Sequence, residues 1–281
     1  MSAPFAYYGG KKKIAAWLAG LCPLHCLYVE PFAGGAGLFW ARERTKVGNA
    51  DAYREVLNDT NQAIVTVYEA LRDDAKEVER VMSLIPYGET AYREAVRVYR
   101  GESDNEPLAT RAAYLLFYWS CSFAGKAGGG IKRARTSENP AMTWANKLGK
   151  VSEWTERLRG VYVEDVDYRL CMTRWDSPGT LHYCDPPYVD ANQGHYSGWT
   201  NSDRRELFEF VDTLQGSVMI SGYLDAWCLT YAGDRGWAVH SKSVAVSAGR
   251  EKAARVETVV IKPASPAKGS QVRYLSACAA A

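Results

Sequence analysis

Two short apolar runs joined by a glycine turn and a helix-like segment constrain this chain more than any other feature. Leu27-Tyr28-Val29-Glu30 has the composition of a strand and runs into Pro31-Phe32-Ala33-Gly34-Gly35-Ala36-Gly37. A helix is expected from Leu38 to about Arg44. A second β-rich run, Val56-Leu57-Asn58, then ends at Asp59. From Asn61 to Arg72 the apolar residues Ile64, Val67, Tyr68 and Leu71 recur at helical spacing. Strand, glycine turn, helix, strand, acid and helix in that order open a doubly wound α/β sheet.

The rest of the chain extends this frame and interrupts it once. A short amphipathic helix over 11–21 precedes the first strand. Residues 74–122 are largely helical and amphipathic, broken by a charged loop over 101–107, and a further helical stretch runs from Trp144 to Leu158. Strand patterns return at Val161-Tyr162-Val163, Leu181-His182-Tyr183-Cys184, Ser217-Val218-Met219-Ile220 and Val256 to Ile261. A length of 281 residues suits an α/β core carrying such an insertion. The expected division is a core over 1–73 and 156–262, a mainly helical insertion over 74–155, and a weakly ordered tail over 263–281.

Bulk composition excludes little. At 47% hydrophobic, 23% charged and a net charge of +2, the chain has ordinary globular values and neither demands nor forbids a nucleic-acid partner. The placement of charge says more: Lys126, Lys132, Arg133 and Arg135 crowd one glycine-rich stretch, and Arg250, Lys252 and Arg255 crowd another. The stretch over 126–135 has the composition of a phosphate- or groove-contacting loop, with a solvated loop as the alternative. No apolar h-region starts the chain and no apolar run could span a bilayer, so a cytoplasmic protein with reduced thiols is expected. Seven cysteines form no framework. Cys22-Pro-Leu-His25-Cys26 lacks a second ligand pair at zinc spacing, so no metal is expected.

Three stretches carry chemistry. The glycines of Glu30 to Gly37, at the end of a strand, let the backbone turn and approach a ligand closely. Asp59, at the end of the next strand, is placed to accept both hydroxyls of an adenosyl ribose, or to cap the helix starting near Thr60. Upstream, Tyr7-Tyr8-Gly9-Gly10-Lys11 combines aromatics, a turn and a cation. Those are groups suited to a sulfonium and a carboxylate, or to an ordinary core Tyr and surface Lys. The third stretch is Leu181-His-Tyr-Cys-Asp185-Pro186-Pro187-Tyr188. Two prolines stop the strand and remove two backbone donors, leaving carbonyls and a carboxylate as acceptors. An exocyclic amine on a planar ring offers the matching donors. A Pro-rich surface turn is the bland alternative, disfavoured by the upstream strand and by Tyr188.

Taken together these motifs resemble the Dam-type DNA adenine methyltransferases, over nearly the whole chain except the insertion. Ala6-Tyr-Tyr-Gly-Gly-Lys11 resembles the family's N-terminal cofactor motif, with Tyr7 where an aromatic is usual. Glu30-Pro-Phe-Ala-Gly-Gly-Ala-Gly37 is similar to its methionine-binding loop, and Asn58-Asp59-Thr60-Asn61 to its ribose-binding strand end. Val163-Glu-Asp-Val-Asp167-Tyr168 is similar to the segment beside the cofactor adenine, and Asp185-Pro186-Pro187-Tyr188 to the catalytic motif.

The resemblance implies a Rossmann-like methyltransferase fold, a mixed seven-stranded sheet with helices on both faces. It implies a site-specific, adenine-N6 DNA methyltransferase, bacterial or phage-encoded, using S-adenosyl-L-methionine on double-stranded DNA. By the same resemblance Tyr7, Gly10, Lys11, Glu30, Pro31, Phe32, Ala33, Gly34, Gly35, Gly37, Asp59, Asp167, Tyr168 and Asp185 bind the cofactor. Asp185 and the Pro186 carbonyl hold the target N6, and Tyr188 stacks on a base flipped from the duplex. Tyr196 and Trp199 are candidates to line the base pocket, with core packing as the alternative. Ser243 to Glu257 is similar to a late Ser/Gly/basic stretch near the DNA. Gly125 to Arg135 does not resemble the family's recognition hairpin, so no target sequence carries over.

Rival readings are the same core acting on RNA adenine, cytosine N4 or a protein amide, and a non-catalytic DNA-binding relative. Asp185, rather than Asn or Ser, favours adenine. The P-loop signature GxxxxGK[ST] is missing from the sequence, and a nicotinamide dehydrogenase would leave Asp-Pro-Pro-Tyr unexplained.

Overall fold

In a computed structural model, residues 1–266 are described except 8, 12, 45–52, 123–129, 135–137, 190–198 and 246–253. Leu27–Glu30 (β1) lies between Arg54–Asn58 (β2) and Thr180–Cys184 (β4), parallel to both. Val161–Glu164 (β3) extends the parallel array beyond β2, and Ser217–Gly222 (β5) extends it beyond β4. Ala254–Lys262 (β7) runs antiparallel to β5, and Ala238–Ala245 (β6) pairs antiparallel with β7. The order is β3-β2-β1-β4-β5-β7-β6, the mixed seven-stranded sheet that was expected. The chain winds outward from β1 to β3 and then restarts at β4 on the other side of β1. A ligand crevice therefore opens past the C-terminal ends of β1 and β4.

Side chains alternate along each strand, so the sheet sorts its apolar residues into two layers. Tyr28, Leu57, Leu181, Tyr183, Met219 and Val259 share one cluster with Ala15–Leu21 (α1), Gly37–Ala41 (α2) and Gln62–Asp73 (α3). The insertion follows as Ala75–Leu84 (α4), Glu89–Tyr99 (α5), Leu108–Cys121 (α6), Pro140–Leu148 (α7) and Val151–Leu158 (α8). Its centre is α6, buried on most sides, which packs against α3, α4 and α5. The buried residues of these helices belong to the same cluster as α3, so segment 74–155 shares the core of the sheet layer. On the opposite face Cys184, Val218, Ile220 and Val260 pack with Tyr168–Arg174 (α9), Asn201–Asp212 (α10) and Ala226–Asp234 (α11).

Several boundaries differ from the periodicity. The helix expected over 11–21 begins only at Ala15, because residues before it form turns that send Lys11 into the interior. The stretch from Trp144 to Leu158 is two helices, broken at Gly149 and Lys150. Helices α7 and α3 start at side-chain caps: Asn139 accepts from the Ala141 and Met142 amides ahead of Pro140, and Asn61 accepts from Ala63.

The N-terminal segment crosses from the insertion to the crevice. The Trp154 indole donates to the Ser2 carbonyl, Lys147 donates to that of Pro4, and Phe5 stacks on Trp119 with ring centroids 4.1 Å apart. This delivers Tyr7 and Lys11 to the glycine turn after β1.

Candidate active site

Past the ends of β1 and β4 lies a cavity of about 430 Å³, within the size range of small-molecule sites. Every residue expected at the cofactor lines it, from Tyr7, Gly10 and Lys11 through Glu30 to Gly37, Asp59, Asp167, Tyr168 and Asp185. Pro186, Pro187, Tyr188 and Trp199 line it too.

The turn after β1 is built by two buried acids. Glu30 accepts from the Tyr28 hydroxyl and, at 2.8 Å, from the Phe39 amide, serving the first turn of α2. Asp59 accepts from the Gly34 amide through one oxygen (2.8 Å) and from the Asn61 amide through the other (2.9 Å). It is Asn61, not Asp59, that caps α3; Asp59 ties the two loops across the cavity mouth instead. Burial pushes Glu30 up to about 8 and Asp59 up to about 6, against the hydrogen bonds each accepts.

Gly34 holds φ +48°, and a Cβ there would lie 3.1 Å from the Tyr7 ring; at Gly35 one would lie 3.1 Å from Tyr7 Cβ. Here the glycines make room for the N-terminal segment. Ala36 is left-handed as well, at φ +46°, without that excuse. A left-handed non-glycine residue costs roughly 1–2 kcal/mol, and glycine returns roughly 0.4–1 kcal/mol through unfolded-state entropy. Ala36→Gly should therefore raise stability by about 0.5–1 kcal/mol. Urea unfolding would show it as a higher midpoint; a lower midpoint would contradict the strain.

At the end of β4, the Asp185 side chain is partly open to the cavity, and its partners converge on one oxygen. Lys11 Nζ lies 2.7 Å from Oδ1, Ser221 donates to it at 3.3 Å, and the Tyr188 hydroxyl is 3.4 Å away. Ser221 in turn meets the Tyr183 hydroxyl at 2.9 Å. Burial raises Asp185 to about 6, with Lys11 the main opposing influence. Lys11, expected at the cofactor, has its ammonium buried between Asp185 and Glu257 (3.0 Å), 4.5 Å from the Tyr188 ring centroid. The Tyr188 ring packs near Tyr223 (4.8 Å), and a Cβ at Gly222 would lie 3.2 Å from it.

The opposite wall is aromatic. Phe32 and Tyr168 have ring centroids 5.0 Å apart, and Trp199 packs on Phe32 at 5.6 Å and on Tyr168 at 6.1 Å. Trp199, a candidate for the base pocket, thus groups with Tyr168, expected beside the cofactor adenine, and with Phe32 of the expected methionine-binding loop. The capping box of Thr200 and Asp203 that starts α10 fixes its entry there. Asp167 accepts from the Arg169 amide and caps α9.

Of the basic residues expected at DNA, Arg133 is exposed and paired with Glu89 at 2.7 Å. Lys132 is held by its backbone, donating to Cys121 and accepting from Tyr87. Neither lines the cavity. Lys126, Arg135, Tyr196, Arg250 and Lys252 lie outside the described residues. His25 contacts the Pro23 carbonyl, Tyr53 and Arg42, and the Cys22 thiol donates to the Leu18 carbonyl, so both have structural partners. Among the described residues no group of three His, Cys, Asp or Glu side chains could hold a metal ion, and no helix is long and apolar enough to cross a membrane.

Glu257, Ser221 and Tyr183 are the site residues that motif reading missed. An acid inside the apolar run Val256 to Ile261 was the available signal for the first.

A doubly wound sheet with glycine turns and acids past β1 and β2, and an Asp-Pro-Pro-Tyr loop past β4, defines a Rossmann-like α/β fold with a cavity at its switch point. The family described as D12 class N6 adenine-specific DNA methyltransferase matches residues 7–232, and the chain belongs to that family. The resemblance seen in the sequence is borne out, and with it the Rossmann-like methyltransferase fold and the class of N6-adenine DNA methyltransferase, a class that implies S-adenosylmethionine as methyl donor. Among solved structures, the chain is similar to a precorrin-6y C5,15-methyltransferase from Geobacter metallireducens GS-15. Identity is 11%, with 92% of this chain and 91% of that one covered and a TM-score of 0.38. No curated protein matches the sequence.

Proposed function

We propose that this protein methylates the N6 amine of an adenine flipped out of double-stranded DNA, with Asp185 and the Pro186 carbonyl holding N6 and Tyr188 against the base. The observation that carries the proposal is the one-sided saturation of Asp185. Its contacts with Lys11, Ser221 and Tyr188 all fall on Oδ1, which leaves Oδ2 to accept an N–H from the cavity side. With no amide hydrogen on Pro186 or Pro187, those two positions bring no backbone donor to compete with the Asp185 carboxylate and the Pro186 carbonyl. Two acceptors on one amine draw its nitrogen out of conjugation with the ring and hold it for attack, a gain of orientation and electrostatics. As N6 becomes cationic, Asp185 is the nearby base for its surplus proton.

The cavity suits the cofactor. Three acids raised by burial, Glu30, Asp59 and Asp185, surround it, an environment that a cationic ligand relaxes. When bound, S-adenosylmethionine supplies an electrophilic methyl group on a sulfonium. Glu30 and the 31–37 turn would hold its methionine end, Asp59 its ribose, and Phe32, Tyr168 and Trp199 its adenine. Tyr7 closes the glycine turn from the other side. Segment 74–155, with Lys126, Lys132, Arg133 and Arg135, and the β6–β7 connection, with Arg250 and Lys252, would contact the phosphates. Unpairing the base costs a few kcal/mol, offset by the contacts in the pocket.

The test is transfer of labelled methyl groups to unmodified duplex DNA, to single-stranded DNA and to RNA, followed by nucleoside analysis. N6-methyladenine in duplex DNA is expected. N4-methylcytosine, label confined to RNA, or cofactor binding without transfer would overturn the reading.

A further inference from the structure

Glu257 stands mid-strand in β7, buried to 4% exposure and followed by the buried Thr258, Val259 and Val260. Its Oε1 lies 3.0 Å from Lys11 Nζ and 3.3 Å from the Tyr188 hydroxyl. Lys11 contacts Asp185 with the same ammonium, and the Tyr188 hydroxyl has its single proton to divide between Asp185 and Glu257. Three segments far apart in sequence therefore meet on one glutamate oxygen. Its register partner on β6, Lys242, is exposed and sits over the Trp17 ring instead.

We propose that Glu257 is a positioning residue for methyl transfer: it anchors Lys11 and the Tyr188 hydroxyl together, so that Asp185 keeps one oxygen for the target amine and the Tyr188 ring is held at the cavity wall. This inference rests on the proposed adenine-N6 reaction at Asp185. Without Glu257 the ammonium would belong to Asp185 alone. The carboxylate would then be more fully neutralised, and the hydroxyl of Tyr188 would lose the Glu257 acceptor.

The charges facing Asp185 set the sign of the pH effect. Lys11 faces it from the N-terminal segment, Glu30 from β1, Tyr183 from β4, Ser221 from β5, and Glu257 from β7. The Glu257 charge raises Asp185, and Lys11 lowers it. Replacing Glu257 by Gln removes the first and strengthens the second. Both move Asp185 ionisation, and with it the acid limb of kcat/KM, to lower pH.

The experiment compares the full-length wild type with Glu257→Gln and Glu257→Ala, using S-adenosylmethionine and unmodified duplex DNA. Glu257→Gln is expected to lower kcat roughly 10-fold and Glu257→Ala roughly 100-fold. The Gln variant should also shift its acid limb downward, with its cofactor Kd within about threefold of wild type. Glu257→Gln, nearly isosteric, keeps the test open where Glu257→Ala fails to fold. An unchanged kcat and limb in Glu257→Gln, or a loss residing entirely in cofactor Kd, overturns the inference. A wild type that makes no N6-methyladenine overturns the underlying reaction instead, so the two failures are distinct.

Discussion

Replacing Asp185 with Asn is expected to lower methyl transfer roughly 10³-fold, far more than any accompanying loss of cofactor affinity. The substitution keeps size and loop geometry and removes the charge that makes both carboxylate oxygens acceptors. Its amide would present a donor either to the target amine or to Lys11, and neither arrangement works. Truncation to Ala should be equally inactive. Single-turnover methylation separates this from a binding defect, and cofactor titration measures the rest.

The pH dependence follows from the same group. Burial places Asp185 near 6, and the amine needs its ionised form, so wild-type kcat/KM should rise as pH increases through about 6. Residual activity of the Asn variant should lack that limb. Stability moves the other way. A carboxylate raised above its unfolded value contributes stability that is complete at low pH and lost as pH rises through about 6. Asp185→Asn removes that pH-dependent loss but also takes from buried Lys11 one of its two carboxylate partners, so the melting-temperature difference between variant and wild type should shift in the variant's favour from pH 5 to pH 8. A difference that does not change with pH would show that Asp185 does not titrate in this range.

What was legible in advance was contiguous. Glu30 to Gly37 and Asp185 to Tyr188 each place several functional groups within one turn after a strand, and such turns were readable from residue order. Lys11 was recognisable as a cation of the site, but not its partners, because Asp185 and Glu257 reach it from strands 170 or more positions away. Glu257 becomes a neighbour of Tyr188 only through the antiparallel pairing of β7 with β5. That register depends on the whole sheet. Trp199 shows the converse: near Tyr188 in sequence, it is drawn by α10 to Phe32 and Tyr168. The strand β6 had no clear alternation to announce it, since His240, Ser241, Lys242 and Ser243 are exposed in succession.

The largest stability effect is expected far from the chemistry, at Glu55. This β2 carboxylate is buried, and three guanidinium groups converge on it: Arg42 at 2.7 Å, Arg44 at 3.1 Å and Arg157 at 2.5 Å. Arg42 also covers the Tyr28 ring at 3.7 Å, and Arg157 covers Phe39 at 3.5 Å while donating to its carbonyl. The cluster thereby fastens α2 and α8 to the sheet. Glu55→Ala would leave the buried Arg42 and Arg157 charges unanswered, a loss of about 3–5 kcal/mol. That corresponds to a melting temperature roughly 10 °C lower; the exposed Arg44 adds little. The arginines hold Glu55 below the usual carboxylate range, so its contribution is present above pH 4.5 and fades as pH falls through its lowered pKa. Replacing Glu55, Arg42 and Arg157 together by Leu, Met and Leu should recover much of the loss, because apolar packing can substitute for a buried ion cluster. None of the three lines the cavity, so methylation well below the melting point should survive Glu55→Ala. Calorimetry and activity measured on the same samples would check both halves, and a melting temperature within about 2 °C of wild type would show the cluster to be energetically idle.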